Sequence, residues 1–296
     1  MIIEGKGIYD AWVKLLEELL KAPRVSPRGK PCLERIGVQL RVENSYQNLI
    51  CDAQRGLNYR FAVAEFLWIL AGLDRLDVLT KYNKNMAEFS DDGVTLTGAY
   101  GPRLKTQWPW LLKRLTDDLE SRQGVVSIWT PKPESSKDVP CTLSAQYLVR
   151  DGKLHTVMTM RSSDAWWGIP YDFFTFTMLA NVLAAALSQS KRTAITLGSL
   201  VLNMGSSHLY EPHWETARSI VNAPSGSSGT SPRFPSGYSE IISQLAQALT
   251  FGLPGNPDTV LNTAWWPWPW RQYAAVLESK TSAEALEILK SLERRT

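Results

Sequence analysis

The chain has 296 residues, 44% hydrophobic and 21% charged, an ordinary globular composition that excludes disordered and fibrous classes. A formal charge of +3 is too small to mark a nucleic-acid surface, so no direct nucleic-acid binding is expected, although a few arginines focused in one pocket fit the same balance. Cys32, Cys51 and Cys141 are widely spaced and odd in number, which suits a reducing cytoplasm better than a disulfide framework. The N-terminus Met1-Ile2-Ile3-Glu4-Gly5-Lys6 carries no secretory pattern. The apolar runs 61–71 and 174–187 are too short to span a bilayer, so no membrane association is expected.

In chain order, residues 8–21 place Ile8, Trp12, Leu15, Leu16 and Leu19 at helical spacing and predict a surface helix. Residues 36–42 read as a strand, and 58–71 as a buried helix. Residues 80–104 are loop-rich, and 106–121 helical. Strands are expected at 125–129, 141–149 and 154–160, with a hairpin turn at Asp151-Gly152. Residues 171–188 read as a second buried helix and 195–202 as a strand. The stretch 205–210 is expected to turn into a helix, with His208 and Tyr210 facing the same way on an extended piece. Residues 223–237, rich in Ser, Gly and Pro, read as a flexible surface insertion, 239–250 as helical, and 282–294 as a closing helix. Strands mixed with long helices argue an α+β fold in a single domain over 1–296.

Two residues stand out. Cys141 follows Val139-Pro140 at the start of a strand, and Arg161 falls on the next strand of the hairpin. An isolated cysteine is more often a core thiol, but a cationic neighbour that depresses its pKa would make it a nucleophile. Glu65 is the one charge in the run 61–71. There it must be paired or protonated, either as a structural ion pair or as a raised-pKa proton carrier.

The ordered set Glu65-Phe66-Leu67-Trp68 with Gly72, Tyr100-Gly101, Ser121-Arg122, Cys141, Arg161-Ser162-Ser163-Asp164, Gly168-Ile169-Pro170-Tyr171-Asp172 and His208-Leu209-Tyr210 resembles the thymidylate synthase family over about residues 10–222. The resemblance implies a mixed sheet flanked by long helices, with one sheet face forming a homodimer interface. It implies that Cys141 adds to C6 of a pyrimidine and that Glu65 shuttles protons. Arg161 and Ser162 would bind phosphate within the subunit, and Arg122 would do so from the partner. His208 and Tyr210 would hold the sugar hydroxyl, and Asp164 the pterin of 5,10-methylenetetrahydrofolate, with Tyr100, Met86 and Phe89 beside the folate. Gln123 replaces the second arginine of the family's S-R-R. The N-terminal phosphate arginine is assigned to Arg28, with Arg24 as the alternative. No zinc site is expected from His155, His208 and His213.

Asp172 stands where the family has asparagine in G-L-P-F-N. A carboxylate accepts from cytosine N4–H₂ and can stabilise a protonated N3, whereas uracil would turn O4 toward it with like polarity, which predicts a cytosine substrate; a helix N-cap is the plainer alternative. Segments 141–151, 160–162 and 203–208 are most similar to the phage-type deoxycytidylate hydroxymethylase branch, implying dCMP as substrate and water as the final acceptor. Met86 and Phe89 in place of tryptophans, and a charged end at 292–296 in place of an apolar tail, favour water over hydride. A dCMP C5-methyltransferase, a CMP hydroxymethylase and a non-catalytic nucleotide-binding homologue remain as alternatives. The Trp-rich stretch 265–270, within the C-terminal segment 259–296, is read as core packing, or alternatively as stacking on the folate.

Overall fold

The computed structural model describes residues 1–131, 135–231, 234 and 270–293. The expected helix at 239–250 and the Trp-rich stretch 265–269 lie outside the described residues.

The chain begins with strand β1 (Ile2–Gly5), helix α1 (Ile8–Leu20), β2 (Arg24–Val25) and β3 (Cys32–Val42). It continues through β4 (Leu49–Cys51), α2 (Tyr59–Leu70), α3 (Leu76–Thr80), α4 (Tyr100–Asp117), β5 (Val125–Ser127), β6 (Thr142–Arg150) and β7 (Lys153–Asp164). Then follow α5 (Ile169–Lys191), β8 (Thr196–Tyr210), α6 (Trp214–Asn222), β9 (Ser227–Gly229), α7 (Trp270–Glu278) and α8 (Ser282–Glu293). Short 3-10 turns lie at Pro27–Gly29, Lys84–Phe89 and Glu211–His213.

The main sheet runs β1-β3-β8-β7-β6-β5, with β2 added along β3. It is mixed: β7 and β8 are parallel, with α5 as the crossover, while β3–β8 and β6–β7 are antiparallel. Helix α1 buries Ile8, Trp12, Leu15, Leu16 and Leu19 completely. Each contributes about 2 kcal/mol by leaving water. In α2 the Asn58 side chain caps the first turn by accepting from the Phe61 N–H at 3.0 Å. Helix α5 is long and apolar enough to cross a membrane, yet most of its residues are buried against α2, α4, β7 and β8, as in a core helix. The sheet's other face is less covered: Leu148, Val157 and Val201 are half-buried, and Ile36 is 82% exposed.

Three differences from the sequence reading have local causes. Helix α4 begins at Tyr100 rather than 106, because Pro102 falls in its first turn, where a missing N–H costs nothing. The 205–210 stretch does not turn into a helix. It stays in β8, paired on both sides (Ile36↔Ser206 and Ser162↔Ser206), and the helix starts only at Trp214. The stretch read as a flexible insertion at 223–237 is structured where it is described: β9 pairs with β4, and the Ser231 hydroxyl donates to Asn48 Oδ1 at 2.8 Å.

Candidate active site

Cys141 lies one residue ahead of β6, and Arg161 faces it from β7, where the Arg161 N–H donates to the Cys141 carbonyl at 2.8 Å. The guanidinium donates to the carbonyls of Pro140 and Val139, both at 2.8 Å. Its Nη2 then stands 3.7 Å from the Cys141 sulfur, and Ser162 Oγ stands 3.8 Å from it. The sequence reading expected cations to depress this thiol's pKa. Instead, burial pushes it up, and Arg161 only partly offsets that shift. Burial thus favours the neutral thiol over the thiolate, with Arg161 the first group acting against it.

Beside the thiol is a cavity of about 130 Å³ whose walls include Glu65, Tyr100, Asp138 and Asp172. Glu65 projects from the buried helix α2. Its carboxyl is pushed up to about 8, first by burial and then by Asp172. Asp172, in the first turn of α5, is pushed up to about 7 by burial and by Asp164. Neither carboxyl accepts a hydrogen bond from the described residues; Glu65 keeps its proton at neutral pH, while Asp172 titrates across it. The cap of α5 is Gly168, not Asp172, so the N-cap alternative fails. Tyr100 OH accepts from the Thr142 N–H at 3.3 Å and from Thr142 Oγ1 at 3.1 Å, which ties the cavity wall to the residue after the nucleophile.

A second group gathers at the far ends of β7 and β8. Asp164 is opposite His208 in the ladder, and the His208 and Tyr210 rings meet edge to face at 5.0 Å. Arg28, at φ 54° in the exposed 3-10 turn, reaches the Tyr210 hydroxyl. Arg24 is instead engaged with Glu211 at 3.1 Å and lies over the Trp214 ring, leaving Arg28 as the arginine near His208 and Tyr210. Asp164 Oδ1 accepts from the N–H groups of Trp166 (2.7 Å) and Trp167 (3.2 Å). Met86 lines the cavity, whereas Phe89 is 45% exposed and does not. Arg122 is exposed. Its carbonyl accepts from Gln146 in mid-β6, five residues beyond Cys141, so the chain's own Arg122 does not join this site.

Two residues escaped the sequence reading. Asp138 lines the cavity three residues before the nucleophile, and a lone acid ahead of Val139-Pro140-Cys141 was the available signal. Arg55 is buried, donating to the Trp166 carbonyl at 2.6 Å and lying over the rings of Trp166 and Trp167. Among the described residues no three His, Cys, Asp or Glu are grouped to hold a metal.

The family profile described as thymidylate synthase matches residues 11–230. The deoxyuridylate hydroxymethyltransferase of Bacillus phage SP01 is 33% identical over 184 residues, 55% of this chain and 48% of that protein. The protein of the same name from Pseudomonas phage M6 is 34% identical over 125 residues, 39% of this chain and 36% of that protein. The chain spans about half or less of the length of these curated relatives.

Proposed function

This chain belongs to the thymidylate synthase family, and on that premise we propose that it transfers a one-carbon unit to C5 of a pyrimidine nucleotide, with dCMP as substrate and 5-hydroxymethyl-dCMP as product. The observation that carries this reading is the convergence of the Cys141 thiol, the Arg161 guanidinium 3.7 Å away and the two buried carboxyls Glu65 and Asp172.

The residues fit a folate: the apolar wall of Trp68, Leu79, Met86 and Leu96 suits a flat aryl system, and Asp164 has one oxygen uncommitted among the described residues. Bound methylenetetrahydrofolate supplies the carbon at the oxidation level of formaldehyde. The protein's part is to bind and to move protons. Arg28, Arg161 and Ser162 hold the phosphate, while His208 and Tyr210 hold the sugar hydroxyl. The Cys141 sulfur bonds to C6, and the displaced π pair makes C5 nucleophilic. Glu65 relays protons to and from the ring. Asp172 reads the base: it accepts from N4–H₂ and shares its proton with N3 as charge develops there. Water then captures the methylene carbon and leaves a hydroxymethyl group, the group for which both phage relatives are named.

A second reading takes dUMP as substrate. The relatives are named for deoxyuridylate, and a protonated Asp172 would present an O–H to uracil O4 and a C=O to N3–H. We also place Arg122 in the site of a partner subunit, so that the active form is a homodimer. The support is its exposure and the half-covered sheet face. The cytoplasm of a host cell is the setting consistent with phage relatives and free thiols. Mass analysis of the product from labelled dCMP, CMP and dUMP with the same folate tests the proposal. A gain of hydroxymethyl on dCMP supports it. A gain of methyl, or no reaction and no covalent adduct with 5-fluoro-dCMP, ends it.

A further inference from the structure

We propose that Asp138 is the base that deprotonates the water attacking the methylene carbon, a catalytic residue additional to Cys141, Glu65 and Asp172; the proposal rests on the hydroxymethyl-transfer reading above.

Three carboxyls line the cavity, and they are not equivalent. Glu65 and Asp172 come from helices α2 and α5 and have no donor among the described residues. Asp138 comes from the segment that carries the nucleophile, and its Oδ2 accepts the Gly98 N–H at 2.7 Å. A backbone donor favours the ionised form, and Arg103 acts in the same direction. Burial raises the Asp138 carboxyl above an ordinary aspartate, which makes it a better base. Glu65, held at about 8, keeps its proton at neutral pH and cannot accept another there. Of the three, Asp138 is the carboxyl with an N–H holding its charge and an open face toward the cavity.

Its placement is built from both sides. The Ser136 hydroxyl donates to Asp91, the Lys137 N–H donates to Asp91 Oδ1 at 3.1 Å, and the Asp138 N–H donates to Ser136 Oγ at 2.9 Å. On the other side Arg161 grips the Val139 and Pro140 carbonyls. The segment 136–141 is thus pinned at both ends, with Asp138 on the cavity wall and Cys141 three residues on, close enough for the Asp138 charge to act on the thiol. Gly98 is required for this approach: a Cβ there would meet the Asp138 carbonyl oxygen at 2.5 Å and its Cγ at 2.9 Å. The cavity also has Leu79, Met86 and Leu96 in its wall, and of its three carboxyls Asp138 is the one that accepts a backbone N–H.

In the step itself, the water oxygen bonds to the exocyclic methylene carbon and one water proton passes to the Asp138 carboxylate. The methylene π pair moves into the ring toward C4. It returns to form C5=C6 as the C6–S bond breaks, and the sulfur leaves as thiolate. No oxidant or reductant is consumed.

The test is a single turnover, with the full chain in excess over C5-tritiated dCMP and with methylenetetrahydrofolate present, so that tritium release is not held back by slow capture. Tritium release reports loss of the C5 hydrogen, which precedes water capture, and product mass reports capture. In Asp138→Asn, tritium release is expected within about 3-fold of the unmodified chain and hydroxymethyl product about 100-fold slower or more, the lower end for loss of a general base. Added 2-mercaptoethanol should then intercept the methylene carbon as a thioether. Asp138→Glu should recover part of the product rate. An Asn variant that forms product as fast as it releases tritium overturns the proposal, as does equal loss of both. If the Asn variant does not fold, the Glu variant decides, because an unchanged ratio of product to tritium overturns the role. An unmodified chain that releases no tritium, or makes a methyl product, overturns the hydroxymethyl reading itself, and that failure is visible before any variant is made.

Discussion

The Arg161 guanidinium stands 3.7 Å from the Cys141 sulfur while it donates to the two backbone carbonyls just before that cysteine. One planar fork therefore sets the position of the nucleophile and supplies the charge that opposes its burial. Lysine has the charge but not the fork. Arg161→Lys is expected to lower kcat/KM by about 10²-fold or more, the cost of losing anchored, bidentate contacts. Arg161→Gln also removes the charge and with it the influence that lowers the thiol pKa, so the pH at which Cys141 reacts with iodoacetamide should move upward in that variant. Alkylation at an unchanged pH midpoint would deny Arg161 any electrostatic role.

Asp172 faces the cavity from the first turn of α5 without a hydrogen-bond donor among the described residues, so its partner is to be supplied by a ligand. Asp172→Asn replaces a carboxyl that becomes acceptor-only above about 7 with an amide that donates at every pH. The ratio of dCMP to dUMP turnover should fall by about 10–100-fold, the usual worth of one base-edge contact. For the unmodified chain, protonation of Asp172 below about 7 should raise relative use of dUMP at pH 6 over pH 8.5. A dCMP preference unaffected by the Asn substitution would remove Asp172 from base recognition.

Periodicity made α1 legible, because its apolar residues recur at helical spacing, and α2 was legible as an apolar run long enough for a buried helix. Such patterns failed where neighbours decide the conformation. Gly205-Ser206-Ser207 reads as a turn in isolation, but β3 and β7 offer it ladder partners on both sides. The same distinction separates the site residues. Among the candidates, Glu65 stood out as the one charge in an apolar run, while Cys141 and Asp172 were singled out by the motifs around them. Asp138 was not, because what makes it part of the site is a hydrogen bond to Gly98, 40 residues away. The direction of the Cys141 shift was also illegible, since the sequence shows Arg161 but not the degree of burial that outweighs it.

Arg122 tests the proposed dimer. If it serves the partner's site, a chain carrying Arg122→Ala still holds an intact Cys141, and a chain carrying Cys141→Ser still offers Arg122. Each variant alone should be inactive or nearly so. Statistical mixing into a twofold dimer makes half the dimers hybrid, each with one complete site, so roughly a quarter of full activity should return. Hybrid dimers that form, verified by differential tagging, but show no recovered activity would contradict a shared site.

Glu65 gives a stability prediction whose sign is fixed. An ordinary glutamate ionises near 4.5, and this one near 8. Between those values the unfolded chain has released a proton that the folded chain still binds, so folding loses stability as pH rises through that window. Below about 4.5 both states are protonated and the effect vanishes. Glu65→Gln carries no such proton. It should therefore unfold at a higher temperature than the unmodified chain at pH 8, by an amount on the order of a few kcal/mol at most, with the gap closing toward pH 4. Its turnover should be lost over the same range, because an amide cannot relay a proton. A thermal melting series at pH 4, 6 and 8 separates this from the plainer alternative. If Glu65 were ionised and paired, the glutamine variant would be the less stable chain at pH 8, and the proton-carrier role would go with it.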